Sequence, residues 1–217
     1  NTFGKTMAEG FRDESKTLPL NVPFTLQLDH RRDWSRLPEA IDADSTITDS
    51  LFAMTEAFYL PIAGSNASGK IQDALTGLGR FRKKARVLGN SEWHNLSIRK
   101  EASAFTATYA SDFNVQTKRP EVQRFIRNYR LLTGTTPDDV SMQEQSVRRR
   151  RLAYTGYDIA HFLMTTITPS ATRPRPEDLR TAPTYDGLGV RIDFKGGNVN
   201  QAMFFHRYRN NRIELIR

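Results

Sequence analysis

Gly64-Ser65-Asn66-Ala67-Ser68-Gly69-Lys70 has the glycine and lysine spacing of a phosphate-cradling loop, in which backbone N–H groups and a lysine hold phosphate oxygens. Ile71 stands where such a loop needs a Ser or Thr hydroxyl for Mg²⁺, and Pro61 reads as the close of a helix rather than the exit from a buried strand. Nucleotide hydrolysis is therefore not expected. Arg148, Arg149, Arg150 and Arg151 could contact phosphates, but such runs are more often a solvated helix end, and exposure is expected for all four. Phe204-Phe205-His206-Arg207-Tyr208-Arg209 interleaves aromatic and basic residues as a base-stacking segment would; a helix or loop with core phenylalanines and solvated arginines is the preferred reading. The four histidines, His30, His94, His161 and His206, fall in no metal-ligand spacing, and with no cysteine there is neither a thiolate ligand nor a disulfide. No metal site is expected. No Gly-x-Ser-x-Gly elbow or Ser-His-Asp order is present.

A second set of chemistry-bearing residues is spread over the C-terminal half. Tyr129-Arg130 is followed after 35 residues by Thr165-Thr166 and finally by Arg212-Ile213-Glu214, each inside a run that reads as a strand. A guanidinium suits phosphate, because it makes planar bidentate contacts, and a carboxylate suits a developing positive charge. Taken singly, Arg130 is an ordinary surface cation, Thr165 and Thr166 ordinary β-branched strand residues and Glu214 a solvent-facing carboxylate.

These residues need elements to hold them. With 38% hydrophobic and 10% aromatic residues among 217, the chain can bury a sizeable core, expected as one domain behind an irregular arm. No apolar run approaches a bilayer span and the first residues lack a secretory pattern, so a soluble chain is expected. The net charge of +8 and a pI near 9.9 favour acidic partners. Residues 1–45, with Pro19, Pro23 and Pro38, read as an extended arm, Leu18 to Leu28 alternating like a strand. Ile47, Leu51, Met54 and Phe58 then share a helical face; Ser65 or Asn66 caps a second helix with Ile71, Leu75 and Leu78; and Ser91 opens a third, carrying Trp93, Leu96, Ala104, Phe105 and Thr108. A short helix carries Val122, Phe125 and Ile126. Strands are expected at Tyr129–Leu132, Leu152–Tyr154, Phe162–Ile167, Val190–Phe194 and Ile213–Ile216, with a long loop over Pro169–Pro183. The domain at 46–217 is thus α+β, mainly helical over 46–126 and mainly strands over 127–217.

The order of Tyr129-Arg130, Met164-Thr165-Thr166 and Arg212-Ile213-Glu214 resembles the arginine, Ser/Thr and paired-glutamate motifs of the mono-ADP-ribosyltransferases, in particular effector domains of plant-pathogenic bacteria. The resemblance implies a helical N-terminal half followed by a split antiparallel β core. It implies NAD as cofactor, held by Arg130, Thr165 and Thr166, with Glu214 as the catalytic carboxylate and Arg212 where arginine-directed members carry a second glutamate. Arg212 would repel a guanidinium substrate and pair with Glu214, so weak or absent transferase activity is expected, as in a pseudoenzyme. The resemblance further implies a type III effector, secreted by a bacterium and delivered into a host cell. A host protein or arginine-containing peptide would be its partner, and membrane association would come only from residues upstream of Asn1. The alternatives are a non-enzymatic module binding protein or peptide in the former NAD cleft and, ranked below it, a basic nucleic-acid-binding domain.

Overall fold

The computed structural model describes residues 2–23, 25, 49–64, 66–80, 85–137, 145–167 and 175–216. Its contacts divide the chain into two compact units, one formed by 1–110 with 205–217 and the other by 111–204.

The first unit holds a five-stranded mixed sheet, ordered β1 (Ala57–Leu60), β2 (Arg86–Gly89), β3 (Thr108–Ser111), β6 (Phe204–Arg209) and β7 (Arg212–Ile216). Helices α1 (Thr2–Ser15) and α2 (Asp49–Met54) precede β1 (Ala57–Leu60), which is followed by α3 (Ala67–Arg80), β2 (Arg86–Gly89), a 3-10 turn (Ser91–Asn95), α4 (Arg99–Ala104) and β3 (Thr108–Ser111). β1 pairs parallel to β2, with Ala57 opposite Arg86, and β2 parallel to β3, with Leu88 opposite Thr108. Parallel neighbours need a crossover, and α3 supplies the first of them. Its Ile71, Ala74, Leu75 and Leu78 recur at helical spacing, and all are buried with Leu60, Val87, Trp93, Ile98, Tyr109 and Tyr208. Tyr208 belongs to the returning hairpin of the chain's end.

The second unit is built from α5 (Pro120–Thr133), α6 (Gln145–Phe162) with a π-helical turn at Leu163–Ile167, α7 (Pro176–Thr181), and the two-stranded pair β4 (Tyr185–Asp186) and β5 (Arg191–Ile192). Pro120 occupies the first position of α5, where its missing N–H costs nothing, and Gly134 ends the helix in the left-handed conformation (φ 75°), its N–H donating to Arg130 O. Phe113, Val122, Tyr154 and Leu188 form one buried cluster and Phe162, Ala182 and Ile192 a second. The chain then returns to the first unit through β6 (Phe204–Arg209) and β7 (Arg212–Ile216), an antiparallel hairpin turned by Asn210 and Asn211, both at positive φ.

The α+β class stands, whereas a split antiparallel core of ADP-ribosyltransferase type does not: the larger sheet is mixed and begins with parallel strands. Residues 2–15, expected extended, are helix α1, whose Phe11 ring packs 4.8 Å from Tyr59. Tyr129–Leu132 lies inside α5, because Tyr129 continues the helical face of Val122, Phe125 and Ile126. Leu152–Tyr154 lies inside α6, and Phe162–Ile167 ends α6 and forms the π turn, its β-branched residues notwithstanding. Ile213–Ile216 is a strand as expected, and part of Val190–Phe194 is. Phe204–Arg209, expected as helix or loop, is strand β6. Phe58 falls in β1 rather than on a helix, and Thr108 in β3. Helix α7 interrupts the expected loop over 169–183, of which 169–174 lie outside the described residues.

Candidate functional site at the carboxyl edge of the parallel strands

Because β1, β2 and β3 run parallel, Leu60, Gly89 and Ser111 end on one edge of the sheet, and in open α/β sheets that carboxyl edge is where ligands bind. β1 leads through Pro61, Ile62, buried Ala63 and Gly64 to the start of α3. Gly64 sits at φ 98°, a conformation only glycine adopts readily, and its carbonyl accepts from Ala67 N–H at 3.0 Å while Asn66 O accepts from Lys70 N–H at 3.2 Å. The segment that spells a phosphate loop therefore does follow a strand and open a helix, contrary to the expectation of a helix end before it. Ile71 is fully buried in the core, so the position that would present a hydroxyl to Mg²⁺ is committed to packing. What remains is the N-terminus of a 14-residue helix with no acidic residue in its first turn. Such a terminus offers backbone N–H groups and a partial positive charge to an anion.

The second strand end is tied to the first. Asn90, buried after β2, accepts Glu92 N–H on Oδ1 at 3.0 Å and donates through Nδ2 to Ile62 O at 3.2 Å, joining the two loops. Gly89 leaves no room for a Cβ, because the Trp93 ring lies against it. Trp93 is wholly buried and its carbonyl accepts the Tyr208 hydroxyl at 2.7 Å, so the loop after β2 is fastened to β6 as well. Burial pushes the Tyr109 and Tyr208 phenols far above the usual tyrosine range.

The second unit carries a separate polar cluster on α6. Asp158 is wholly buried; Oδ1 accepts Leu188 N–H at 2.7 Å, and Oδ2 accepts Gly189 N–H at 2.8 Å and Val190 N–H at 3.0 Å. Gly187 has no room for a side chain beside that carboxylate, and its carbonyl accepts from Arg119 Nη1 at 3.0 Å. Tyr185 OH meets His161 Nδ1 at 3.2 Å, and His161 stacks on Tyr157. Burial first, then Asp158 and Tyr157, push the Tyr185 phenol up to about 12, keeping it neutral. A carboxylate spent on three backbone donors and a neutral phenol hold the β4–β5 turn in shape rather than activate a reacting atom. The sequence signal for Asp158 was the glycine pair Gly187 and Gly189, thirty residues away and not linked to it by any pattern.

The residues expected to bind NAD and act on it are distributed as follows. Arg130 is exposed in the last turn of α5; Thr165 is exposed in the π turn, its hydroxyl donating to His161 O at 2.7 Å; Thr166 is half-buried beside it. Arg212 and Glu214 are exposed on β7, two residues apart and so on one face as expected, opposite Arg209 and Arg207 of β6. Arg130, Thr165 and Thr166 belong to the second unit and Arg212 and Glu214 to the first. Neither Arg130 nor Thr165 is on a strand. Arg148–Arg151 fall within α6, and their side chains lie outside the described residues. Among the described residues no group of His, Asp or Glu is placed to hold a metal, and no helix is long and apolar enough to cross a membrane.

No protein-family model and no curated protein sequence matches the chain. Solved structures do. The chain is similar to an ABC transporter substrate-binding protein from Desulfitobacterium hafniense (TM-score 0.54, 17% identity) and to a complex with Leu of an ABC transporter substrate-binding protein from the same organism (TM-score 0.52, 15% identity). It is also similar to a branched chain amino acid ABC transporter protein from Thermus thermophilus with bound valine (TM-score 0.53, 14% identity). Each alignment covers 100% of this chain and 57% of the other, so the chain spans little more than half the length of these proteins. At such identities the likeness is one of fold. It replaces the ADP-ribosyltransferase resemblance, and with it the reading of the chain as a transferase-like effector; of the three motif segments that suggested them, two were expected as strands and are helical.

Proposed function

We propose that this chain is part of a ligand-binding protein that captures a small carboxylate-bearing molecule, an α-amino acid foremost, at the carboxyl edge of β1 and β2. The connection β1–Gly64–α3 carries the reading: a parallel strand delivers the chain through a left-handed glycine to a helix N-terminus free of acidic residues, with Lys70 in its first turn. A carboxylate there would accept backbone N–H bonds and gain from the helix dipole. Two of the similar solved proteins hold leucine and valine, molecules whose shared feature is the α-carboxylate and α-amine. Binding without turnover accords with the polar clusters described above, which serve to brace loops.

Gly69 supplies the test, since a Cβ there meets nothing within 4 Å and an added side chain fits. Calorimetric titration of the wild type with the common amino acids, and with NAD as comparison, should find an amino acid that binds. Gly69→Asp, which sets a carboxylate into the same turn, should weaken it at least about tenfold, the order expected for placing a like charge beside a bound anion, while Gly69→Ala should not. Absence of amino-acid binding, or binding that Gly69→Asp leaves intact, would overturn the reading.

A further inference from the structure

The outward face of α5 is not that of an ordinary solvated helix. Its inner side is occupied by Val122, Phe125 and Ile126, packed in the core. Outside, Arg124, Arg127 and Arg130 are all exposed, and Leu131 and Leu132 are 85% and 86% exposed at the helix end. Leu131 follows Arg127 by four residues and Arg124 by seven, so the three share one stripe, with Arg130 and Leu132 on its two flanks. The acidic residue of α5, Glu121, lies in its first turn, where it pairs with Arg119 and also interacts with the charge of Arg124, so a single carboxylate of the helix stands against the three arginines. Leucines this bare, set among cations that can spread their stems and keep their heads in water, match a surface that is anionic outside and apolar beneath.

We propose that this face of α5 docks on an anionic lipid bilayer, the arginines against headgroup phosphates and Leu131 and Leu132 in the acyl boundary. A nucleic acid would use the arginines but leave the leucines in water, and the neighbouring aromatics that could stack on bases, Phe125 and Tyr129, are half-buried and packed on each other. The contact is peripheral, made by this chain's own residues rather than by any segment upstream.

Co-sedimentation of the full chain with vesicles tests it. Vesicles of phosphatidylcholine with phosphatidylglycerol should bind the protein, and vesicles of phosphatidylcholine alone should not. With each arginine near a charged surface contributing about fivefold, the combined Arg124→Gln, Arg127→Gln, Arg130→Gln variant should bind about 100-fold more weakly. Leu131→Ser with Leu132→Ser should lose about tenfold or more, and binding of the wild type should fall with added salt. All five side chains are exposed, so circular dichroism of both variants should match the wild type. Equal binding to neutral vesicles, or binding unchanged in either variant, overturns the proposal. So does a concentration-dependent dimer without lipid that the leucine variant abolishes, which would make the face a contact between copies. Duplex DNA binding lost with the arginines and indifferent to the leucines overturns it likewise.

Discussion

Asp158 shows what a single residue can fix. Its carboxylate takes three backbone N–H groups of the β4–β5 turn, so Asp158→Ala leaves two buried donors and one partly buried donor without that acceptor. At about 1–3 kcal/mol for each buried group, the loss should be at least about 2 kcal/mol, read from the urea midpoint of the second unit. Gly187→Ala should be destabilising as well, because its methyl would collide with the same carboxylate. Tyr185 gives a dependence on pH. Its phenol is raised from the ordinary value of about 10 to about 12, so below pH 10 folded and unfolded chains hold the proton equally and nothing changes. Between about pH 10 and about 12 the unfolded chain releases a proton that the folded chain keeps, and stability falls as pH rises. Urea titrations across that window should show a shallower fall for Tyr185→Phe, which at neutral pH should cost only about 1 kcal/mol for the lost bond to His161.

Among the elements, α3 carries both packing and the proposed site. Gly69→Ala should stabilise the protein by about 0.5–1 kcal/mol, because the space is open and glycine loses most entropy in a helix. Gly69→Asp should add up to about 1 kcal/mol through the helix dipole, so thermal unfolding should move upward in the variant expected to lose ligand. Helix α3 was legible because Ile71, Leu75 and Leu78 keep a long apolar period. β1, β2 and β3 were not: each is four residues long, too short for alternation to stand out against the helical spacing around it. At Tyr129–Leu132 and Phe162–Ile167 the error ran the other way, local β-branched and aromatic content outweighing a helical face that continued through both. The candidate site was half legible: the glycine–lysine spacing of Gly64 to Lys70 was visible, but its meaning depended on β1, which was not.

On the scale of the whole molecule, the chain leaves the first unit after β3, builds the second and returns with β6 and β7, so the first unit is completed only by the last thirteen residues, 205–217. That return is structural rather than ornamental: Tyr208 is wholly buried in the first unit's core, its N–H donates to Ala107 O at 2.8 Å and its hydroxyl to Trp93 O at 2.7 Å. The second unit, by contrast, has two buried clusters drawn entirely from its own segment. Removing residues 205–217 should therefore expose the faces of Trp93, Tyr109 and the β3 edge and unfold the first unit, while α5, α6 and the β4–β5 pair keep theirs. Hydrogen exchange of the truncated chain should show protection lost across α3, β2 and β3 and retained across α5 and α6. Tyr208→Ala in the full chain should move the same amides in the same direction, at a cost of about 3–5 kcal/mol for emptying an aromatic site. Exchange that rose equally in both units would mean that they unfold as one and that the hairpin supports them together; protection kept throughout the first unit would mean that β1, β2, β3 and their helices suffice without it.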